Sequence, residues 1–303
     1  MKQQVADPLR IVVCIKPVPD PACWENLELE QETLLLNRSK VAAVINPLDL
    51  NAIEQALAIK GSIGDGVKGS TRGSIRGNAG RAGRAGRAGR AGSVEIAVLA
   101  MAPPEAEEQL REALAMGCDT AFLASDRAMA GADTLATARC LAAAIKKIGG
   151  FDLVFCGAYS LDGSTAQVGP QVAELLDLPD LTHVTNLQIK GKQLRAVSRV
   201  EDGEMVCECD LPALVTFDRE ANQPRLPAMS GIRRARGLPV VSWSLADLGL
   251  AREEAGLAGS PTRMLNIYTK TQGRKGEILA GSAAEMADQL VEKLVREKLI
   301  ESA

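Results

Sequence analysis

Short apolar runs alternate with longer segments of helical character over the first part of the chain. The apolar runs are followed closely by Gly, Pro, Asn or Asp, which is typical of buried strands. The longer segments begin at prolines or at residues that can cap a helix, such as Asn46 or Asp49. The predicted strands span 9–15, 42–45, 94–100, 121–124 and 151–156, and the predicted helices span 46–60, 103–116, 133–148 and 165–176. This alternation predicts an α/β fold with a mostly parallel, doubly wound sheet.

After residue 179 the pattern changes to consecutive strands. The strand candidates span 182–189, 193–200, 204–209 and 214–216, with hairpin turns at 190–192 and 202–203. Antiparallel hairpins of this kind would extend the parallel sheet into a mixed one. Residues 245–284 are irregular and rich in Ala and Gly, and an amphipathic helix follows over 283–299. We therefore expect an α/β domain over residues 1–244 and an extended arm with a terminal helix, residues 245–303, that docks on a partner.

Residues 62–93 form a low-complexity insertion rich in Gly, Arg and Ala. They carry seven basic side chains and one acidic side chain, and four Gly-Arg-Ala triplets run from Gly80 to Ala91. Four triplets without proline are too few for a collagen helix, and the segment lacks aromatic residues on which nucleobases stack. We interpret it as a flexible surface insertion before the strand at Val94. The rest of the chain is more acidic than the net charge of -3, which argues against a nucleic-acid surface.

Composition excludes several other classes. Of the 303 residues, 46% are hydrophobic and 24% are charged, as in ordinary globular proteins. No apolar run approaches the roughly 18 residues that a membrane span requires, and residues 1–8 do not resemble a signal peptide. Seven irregularly spaced cysteines indicate free thiols in a reducing cytoplasm. Cys207 and Cys209 share a strand face, but a metal site needs more ligands, so no metal is expected.

The chain has one histidine, His183, in a predicted strand. Any Ser-His-Asp mechanism would have to use it, and no G-x-S-x-G turn accompanies it. We interpret His183 as a half-buried strand residue, and a hydrolase is not expected.

The turn after the strand at 151–156 is the main candidate for chemistry. Residues 157–170 read Gly-Ala-Tyr-Ser-Leu-Asp-Gly-Ser-Thr-Ala-Gln-Val-Gly-Pro. The first turn of a helix has unpaired N–H groups that favour phosphate, and Gly163 allows a ligand to approach the backbone. Ser164 and Thr165 add hydroxyl donors and Gln167 adds an amide. Asp162 either accepts a hydrogen bond from a ribose hydroxyl or braces the loop.

Lys16, Asn46 and Met101 also follow predicted strands. Ligands of open parallel sheets bind outside the carboxyl ends of the strands, so we expect these residues to lie near the turn. A capped helix after a tight turn, with no ligand, is the alternative, because this turn is neither a G-x-G-x-x-G motif nor a P-loop.

Several motifs resemble the beta subunit of electron-transfer flavoproteins. They are Ile-Val-Val-Cys-Ile-Lys-Pro-Val-Pro-Asp at 11–20, Asn-Pro-Leu-Asp at 46–49, the turn at 157–170, Leu-Pro-Ala-Leu-Val-Thr at 211–216 and Asn-Gln-Pro-Arg at 222–225. They follow the family's order over nearly the whole chain, apart from the insertion. The resemblance implies an adenine-nucleotide-binding, Rossmann-like fold and a heterodimer with an alpha subunit that carries the redox-active FAD. The beta subunit of this family binds either AMP, as a structural element, or a second FAD.

The resemblance also implies which residues contact the nucleotide. These positions are Cys14, Ile15, Lys16, Asn46, Pro47, Leu48, Asp49, Ala100, Met101, Gly157, Ala158, Asp162, Gly163, Ser164, Thr165, Ala166, Gln167 and Val168. AMP-type members have consecutive acids before Asn-Gln-Thr-Gly, whereas 162–170 and Val18-Pro19-Asp20 look like the electron-bifurcating members. In those members the second FAD takes hydride from NADH and divides the electron pair between the alpha-subunit flavin and a low-potential acceptor such as ferredoxin or flavodoxin. Bifurcating members usually have an acidic residue at the position of Ser164, so AMP remains the alternative ligand of this subunit.

The family also has a partner-recognition loop, whose exposed apolar anchor maps to Met229, flanked by Ala228 and Ile232. Its partner is a flavin dehydrogenase such as an acyl-CoA dehydrogenase. The resemblance implies an electron carrier with no catalytic side chain, oxidising NADH only as part of a complex. An alternative of another class is a nucleotide-binding regulatory or adenylyl-transfer protein on a related sheet, although no Lys or His cluster supports that catalysis.

Overall fold

The computed structural model describes residues 8–26, 28–29, 36–37, 41–64, 93–263 and 276–300. Most of the predicted insertion at 62–93 therefore lies outside the described residues. The strands are β1 (Leu9–Ile15), β2 (Pro17–Pro19), β3 (Glu28–Leu29), β4 (Leu36–Asn37), β5 (Ala43–Ile45), β6 (Val94–Met101), β7 (Thr120–Ala124), β8 (Leu153–Gly157), β9 (Asp180–Lys190), β10 (Gln193–Val200), β11 (Gly203–Asp210), β12 (Ala213–Phe217) and β13 (Val240–Trp243). The α-helices are α1 (Pro47–Gly64), α2 (Glu107–Met116), α3 (Thr134–Ile148), α4 (Val168–Leu176), α5 (Met229–Ala235) and α6 (Ala283–Arg296).

A nine-stranded sheet organises the first part of the chain. Its order is β11-β10-β9-β12-β8-β1-β6-β7-β13. The strands in the order β9-β12-β8-β1-β6-β7-β13 are each parallel to their neighbours. Beside β9, the strands β10 and β11 add an antiparallel extension. The predicted mixed, mostly parallel α/β fold is confirmed. The chain moves from β1 outward through β6 and β7 and then returns to β8 on the other side of β1, so the sheet has its switch point between β1 and β8.

The sheet is covered on both faces, as continuous apolar strands require. On one face, Ile11 and Val13 of β1 belong to a cluster with apolar residues of α1 and α2. On the other face, Val12 and Cys14 pack with apolar residues of α3 and α4. Successive strand side chains point to opposite faces, so the buried run 11–15 supplies both cores at once.

The start of α4 differs from its predicted position. The sequence pattern predicts a helix from Thr165, but α4 begins at Val168. Ser164 has φ 50° and Ala166 has φ 55°, which are left-handed values that a right-handed helix excludes. Residues 163–167 are therefore loop, and Pro170 lies in the first turn of α4, where it removes no helical hydrogen bond.

The short strands β2, β3 and β4 were not predicted from the sequence, and neither were β13 and α5. β13 has only four residues and pairs in parallel with β7 at the sheet edge. α5 has seven residues and contains Gly231, which makes its helical pattern weak. Gly231 lies against the carbonyl oxygen of Ala115 in α2, where a Cβ atom would collide. Both elements form because of neighbouring structure more than local propensity.

The chain divides into the units Met1–Met264 and Leu265–Ala303. This boundary lies later than the expected one after residue 244. The reason is that Leu245 and Ala255 are buried in a cluster with Met129 and Cys140 of the first unit. In the second unit, Ser282 and Glu285 form a capping box at the start of α6. Among the described residues, no helix is both long enough and apolar enough to span a bilayer.

Candidate functional site

The ends of β1 and β8 are joined by one buried carboxylate, that of Asp49 in α1. Its Oδ2 accepts a hydrogen bond from the Lys16 amide at 2.7 Å, and its Oδ1 accepts one from the Gly157 amide at 2.9 Å. Gly157 is required at the end of β8, because a Cβ atom there would lie 2.7 Å from the Cβ of Leu48 and would also collide with Asp49. The first turn of α1 thus sits directly against the switch point of the sheet.

Burial raises the pKa of Asp49 to about 6. Its side chain is largely removed from water, since Asp49 is only 6% exposed. The amides of Lys16 and Gly157, the Asn46 side chain and the charge of Lys16 act in the opposite direction but do not cancel the desolvation. The pKa of this carboxyl group therefore lies about two units above that of an ordinary aspartate.

Asn46 connects α1 to the loop after β8. Its Nδ2 donates to the carbonyl oxygen of Tyr159 at 2.9 Å and to Asp49 at 3.1 Å. Its Oδ1 accepts from the Leu161 amide at 3.2 Å. Asn46 is 1% exposed, and the antiparallel pairing of β2 with β5 brings it beside Lys16. Its hydrogen bonds therefore link distant segments of the chain and fix the position of the backbone at 159–161.

Lys16 pairs with Asp162. Its Nζ lies 2.6 Å from Oδ1 of Asp162 and 3.2 Å from Oγ of Ser160. The Asp162 side chain is only 6% exposed, whereas that of Lys16 is 43% exposed. Of the two roles considered for Asp162, bracing the loop is the one that this geometry shows. Sequence patterns did not single out Ser160, which is an inconspicuous residue of the predicted loop.

Residues 163–167 follow this braced base, and the amide and the hydroxyl of Ser164 both donate back to the carbonyl oxygen of Ser160. Gly163, Ser164, Thr165 and Gln167 are exposed. The left-handed backbone of Ser164 and Ala166 costs energy, so the surrounding contacts must hold it in place. The hydroxyl of Thr134, at the start of α3, donates to Oε1 of Gln167 at 3.0 Å, so α3 helps to place the loop. The exposed Thr165 and the start of α4 at Val168 are groups that fit a phosphate.

The remaining sequence-predicted positions lie around this loop. Ile15 pairs with Ala100, which brings the end of β6, including Met101, beside the end of β1. Leu48 and Ala158 are buried next to the loop, Pro47 is partly exposed, and Val168 is the first residue of α4. The structure therefore brings the whole predicted set to one edge of the sheet. The exposed members are 163–165 and 167, and the buried members support them.

Cys14 and Cys156 lie below the loop on neighbouring strands, and both are buried. The hydrogen bond from Cys156 to Cys14, together with burial, holds the pKa of the Cys156 thiol well above its usual range. A neutral thiol is a poor nucleophile, so Cys156 is suited to packing. Across the described residues, no group of three His, Cys, Asp or Glu side chains is arranged to hold a metal ion.

His183 lies in β9 with its Nδ1 atom 3.5 Å from Oδ2 of Asp218. Arg199 approaches the same oxygen at 3.0 Å. The imidazole is partly exposed, in agreement with the half-buried strand position expected for it.

The predicted partner residues lie at the start of α5. Met229 is 78% exposed, and Ala228 and Ile232 beside it are also exposed. Leu226, which sequence reasoning did not single out, is 89% exposed. We call residues 226–232 the apolar tip. Exposed apolar side chains grouped in this way are typical of a protein-binding surface.

Comparison with known proteins agrees with this architecture. Residues 69–248 match the electron transfer flavoprotein domain. The chain is 39% identical to the electron transfer flavoprotein subunit beta of Thermoanaerobacterium thermosaccharolyticum over 287 residues, which cover 94% of this chain and 98% of the relative. It is 38% identical over 293 residues to the caffeyl-CoA reductase-Etf complex subunit CarD of Acetobacterium woodii, covering 96% and 100%. It is 35% identical over 299 residues to the acryloyl-CoA reductase electron transfer subunit gamma of Anaerotignum propionicum, covering 96% and 100%. The chain belongs to the electron transfer flavoprotein family, among its beta subunits.

Proposed function

We propose that this beta subunit binds FAD at the edge formed by residues 157–168 and serves as the NADH-oxidising part of an electron-bifurcating heterodimer. The observation that carries the proposal is the loop 163–167, in which Ser164 and Ala166 have left-handed φ values. The ion pair between Lys16 and Asp162 braces the residue that precedes this loop. Strained backbone at a strand-end crevice is characteristic of ligand sites.

The donors present suit the diphosphate of FAD and equally the phosphate of AMP. The preference for FAD comes from the residues at 162–170, which look like those of bifurcating members. The relative CarD supports it by its name, which assigns that protein to a caffeyl-CoA reductase-Etf complex. AMP as a structural ligand is the competing proposal.

Bound FAD would supply hydride and single-electron chemistry, and the chain would supply binding and orientation. Thr165 would hold a phosphate oxygen through its hydroxyl group, and Ser164 would do so by turning its hydroxyl away from the carbonyl oxygen of Ser160. Lys16 would add positive charge at the edge of the loop while keeping Asp162 in place. Asp49 and Asn46 do not need to touch the ligand, because their hydrogen bonds already fix the strand ends and the backbone of 159–161.

The cofactor assignment is tested by co-expressing the chain with its alpha subunit and counting nucleotides released from the purified heterodimer. Two FAD molecules per heterodimer and reduction by NADH are expected. One FAD and one AMP would overturn the FAD assignment in favour of AMP. A heterodimer with no adenine nucleotide bound to this subunit would overturn both.

We also propose that the apolar tip docks on a flavin dehydrogenase such as an acyl-CoA dehydrogenase, with Met229 as the anchor beside Ala228 and Ile232. The low-potential electron would pass to ferredoxin or flavodoxin. Met229→Asp should slow electron transfer to the dehydrogenase and leave NADH oxidation intact. Met205→Asp, at an exposed methionine of β11, is the matched control and should change neither rate. Normal transfer by Met229→Asp would discard the anchor role.

A further inference from the structure

The helix α1 contacts two places that the proposed function treats separately. Its N-terminal turn holds the candidate nucleotide loop through Asn46 and Asp49. Further along the same helix, Asn51 and Glu54 contact the segment that leads into the apolar tip. At 1.5 Å per residue, Asn46 and Glu54 are only about 12 Å apart along the helix axis.

The contact between Glu54 and Arg225 is a two-pronged ion pair. Nε of Arg225 donates to Oε2 of Glu54 and Nη2 donates to Oε1, each at 2.8 Å. The Arg225 amide also donates to Oε2 at 3.1 Å. The Glu54 side chain is only 13% exposed and that of Arg225 is 48% exposed, so the carboxylate is shielded from water and the guanidinium is partly hydrated. Arg225 directly precedes Leu226, the first residue of the apolar tip.

A second contact joins Asn51 to Asn222. Nδ2 of Asn51 donates to the carbonyl oxygen of Asn222 at 2.8 Å, and Nδ2 of Asn222 donates back to the carbonyl oxygen of Asn51 at 3.0 Å. On the far side of the tip, Arg234 donates to the carbonyl oxygen of Leu114 at 2.7 Å, at the end of α2. Hydrogen bonds therefore fix the apolar tip on both sides. Those on the side of the candidate nucleotide loop come from Asn51 and Glu54 of α1.

We propose that Glu54 and Arg225 are positioning residues that fix the apolar tip relative to the nucleotide site through the single rigid helix α1. This proposal rests on the proposed docking role of the tip. A docking surface that is already ordered binds its partner more tightly, because less conformational freedom is lost on association. A tip attached to the same helix as the nucleotide loop meets that requirement.

The test uses the complete heterodimer and compares Glu54→Gln, Arg225→Gln and the double variant with wild type. Hydrogen–deuterium exchange is measured over residues 222–236, and nucleotide content is measured after denaturation. Loss of a charge-assisted hydrogen-bond pair should speed exchange in this segment about tenfold while nucleotide content stays at the wild-type level. The double variant should exchange no faster than either single variant, because both remove the same contact. Glu208→Gln removes the exposed Arg195–Glu208 pair on β10 and β11 and is the matched control, with no change expected.

The functional readout is the apparent KM for a purified acyl-CoA dehydrogenase. Glu54→Gln should raise this KM several-fold and leave kcat unchanged, since a loosened tip weakens docking and not the chemistry. Arg225→Lys keeps the charge without the fork and should fall between wild type and Arg225→Gln. Wild-type exchange in Glu54→Gln, or faster exchange with an unchanged KM, would overturn the positioning role. Absence of nucleotide from the wild-type heterodimer would instead refute the proposed function, and the exchange comparison would still decide whether Glu54 holds the tip.

Discussion

Asp49 provides a quantitative test of how the candidate site is built. Its pKa is raised from 3.8 to about 6 because the carboxyl group is buried between β1, β8 and α1. Between these two values the folded chain keeps a proton that the unfolded chain has lost, so stability falls as pH rises. The full shift corresponds to about 3 kcal/mol, and about 2 kcal/mol of it falls between pH 4.5 and 7.5.

The perturbation is Asp49→Asn, which cannot ionise. Replacing one oxygen by an NH2 group sets a donor against a backbone amide, so the variant should be less stable than wild type at every pH. The free-energy advantage of wild type over the variant should nevertheless shrink by about 2 kcal/mol from pH 4.5 to 7.5. Urea unfolding of both proteins across this pH range measures the difference in unfolding free energy. A carboxyl NMR titration of Asp49 gives its pKa directly.

Asp126→Asn is the control of opposite sign. Hydrogen bonds from the amides of Ala128 and Leu245 lower the pKa of Asp126, so the advantage of wild type over this variant should grow as pH rises through the acid range. The reasoning would be refuted if the difference in unfolding free energy between wild type and Asp49→Asn stayed constant or grew with pH. A pKa near 4 for the Asp49 carboxyl group would refute it as well.

Three further predictions concern the loop and its support. Gly157→Ala should destabilise the chain by about 1–3 kcal/mol, because the new Cβ meets Leu48 and Asp49, whereas Gly61→Ala, with nothing within 4 Å, should not; equal midpoints in urea for the two variants would contradict this. Ala166→Gly should raise stability by up to about 1 kcal/mol by relieving a left-handed residue, measurable as a higher Tm, and a lower Tm would count against strain at this position. Lys16→Met should weaken adenine-nucleotide binding about tenfold by releasing Asp162, measured by equilibrium dialysis, with Lys16→Arg close to wild type; equal affinities of Lys16→Met and wild type would remove Lys16 from the site.

The parallel sheet could be predicted because its signals are local. The apolar run 11–15 is buried on both faces, as its composition indicates, and Asp133 caps α3 where the sequence places the helix start. The edge of the sheet that holds the candidate site was also predictable, since parallel strands end on one side. Residue identity at 157–170 and along the other family motifs is the basis for the proposed ligand.

The tertiary structure decided what these signals do not contain. Lys16 and Asp162 are 146 positions apart, and Arg225 and Glu54 are 171 apart, so no local pattern reveals that they pair. The late start of α4 depends on left-handed residues that the surrounding contacts enforce against local preference. The sequence by itself determined the longer strands and helices of the parallel sheet and the edge at which its strands end, because these follow from periodicity and capping. Other features arise only when distant segments meet and exclude water. They are the role of Asp162 as a brace, the raised pKa of Asp49 and the ion pair that joins α1 to the apolar tip.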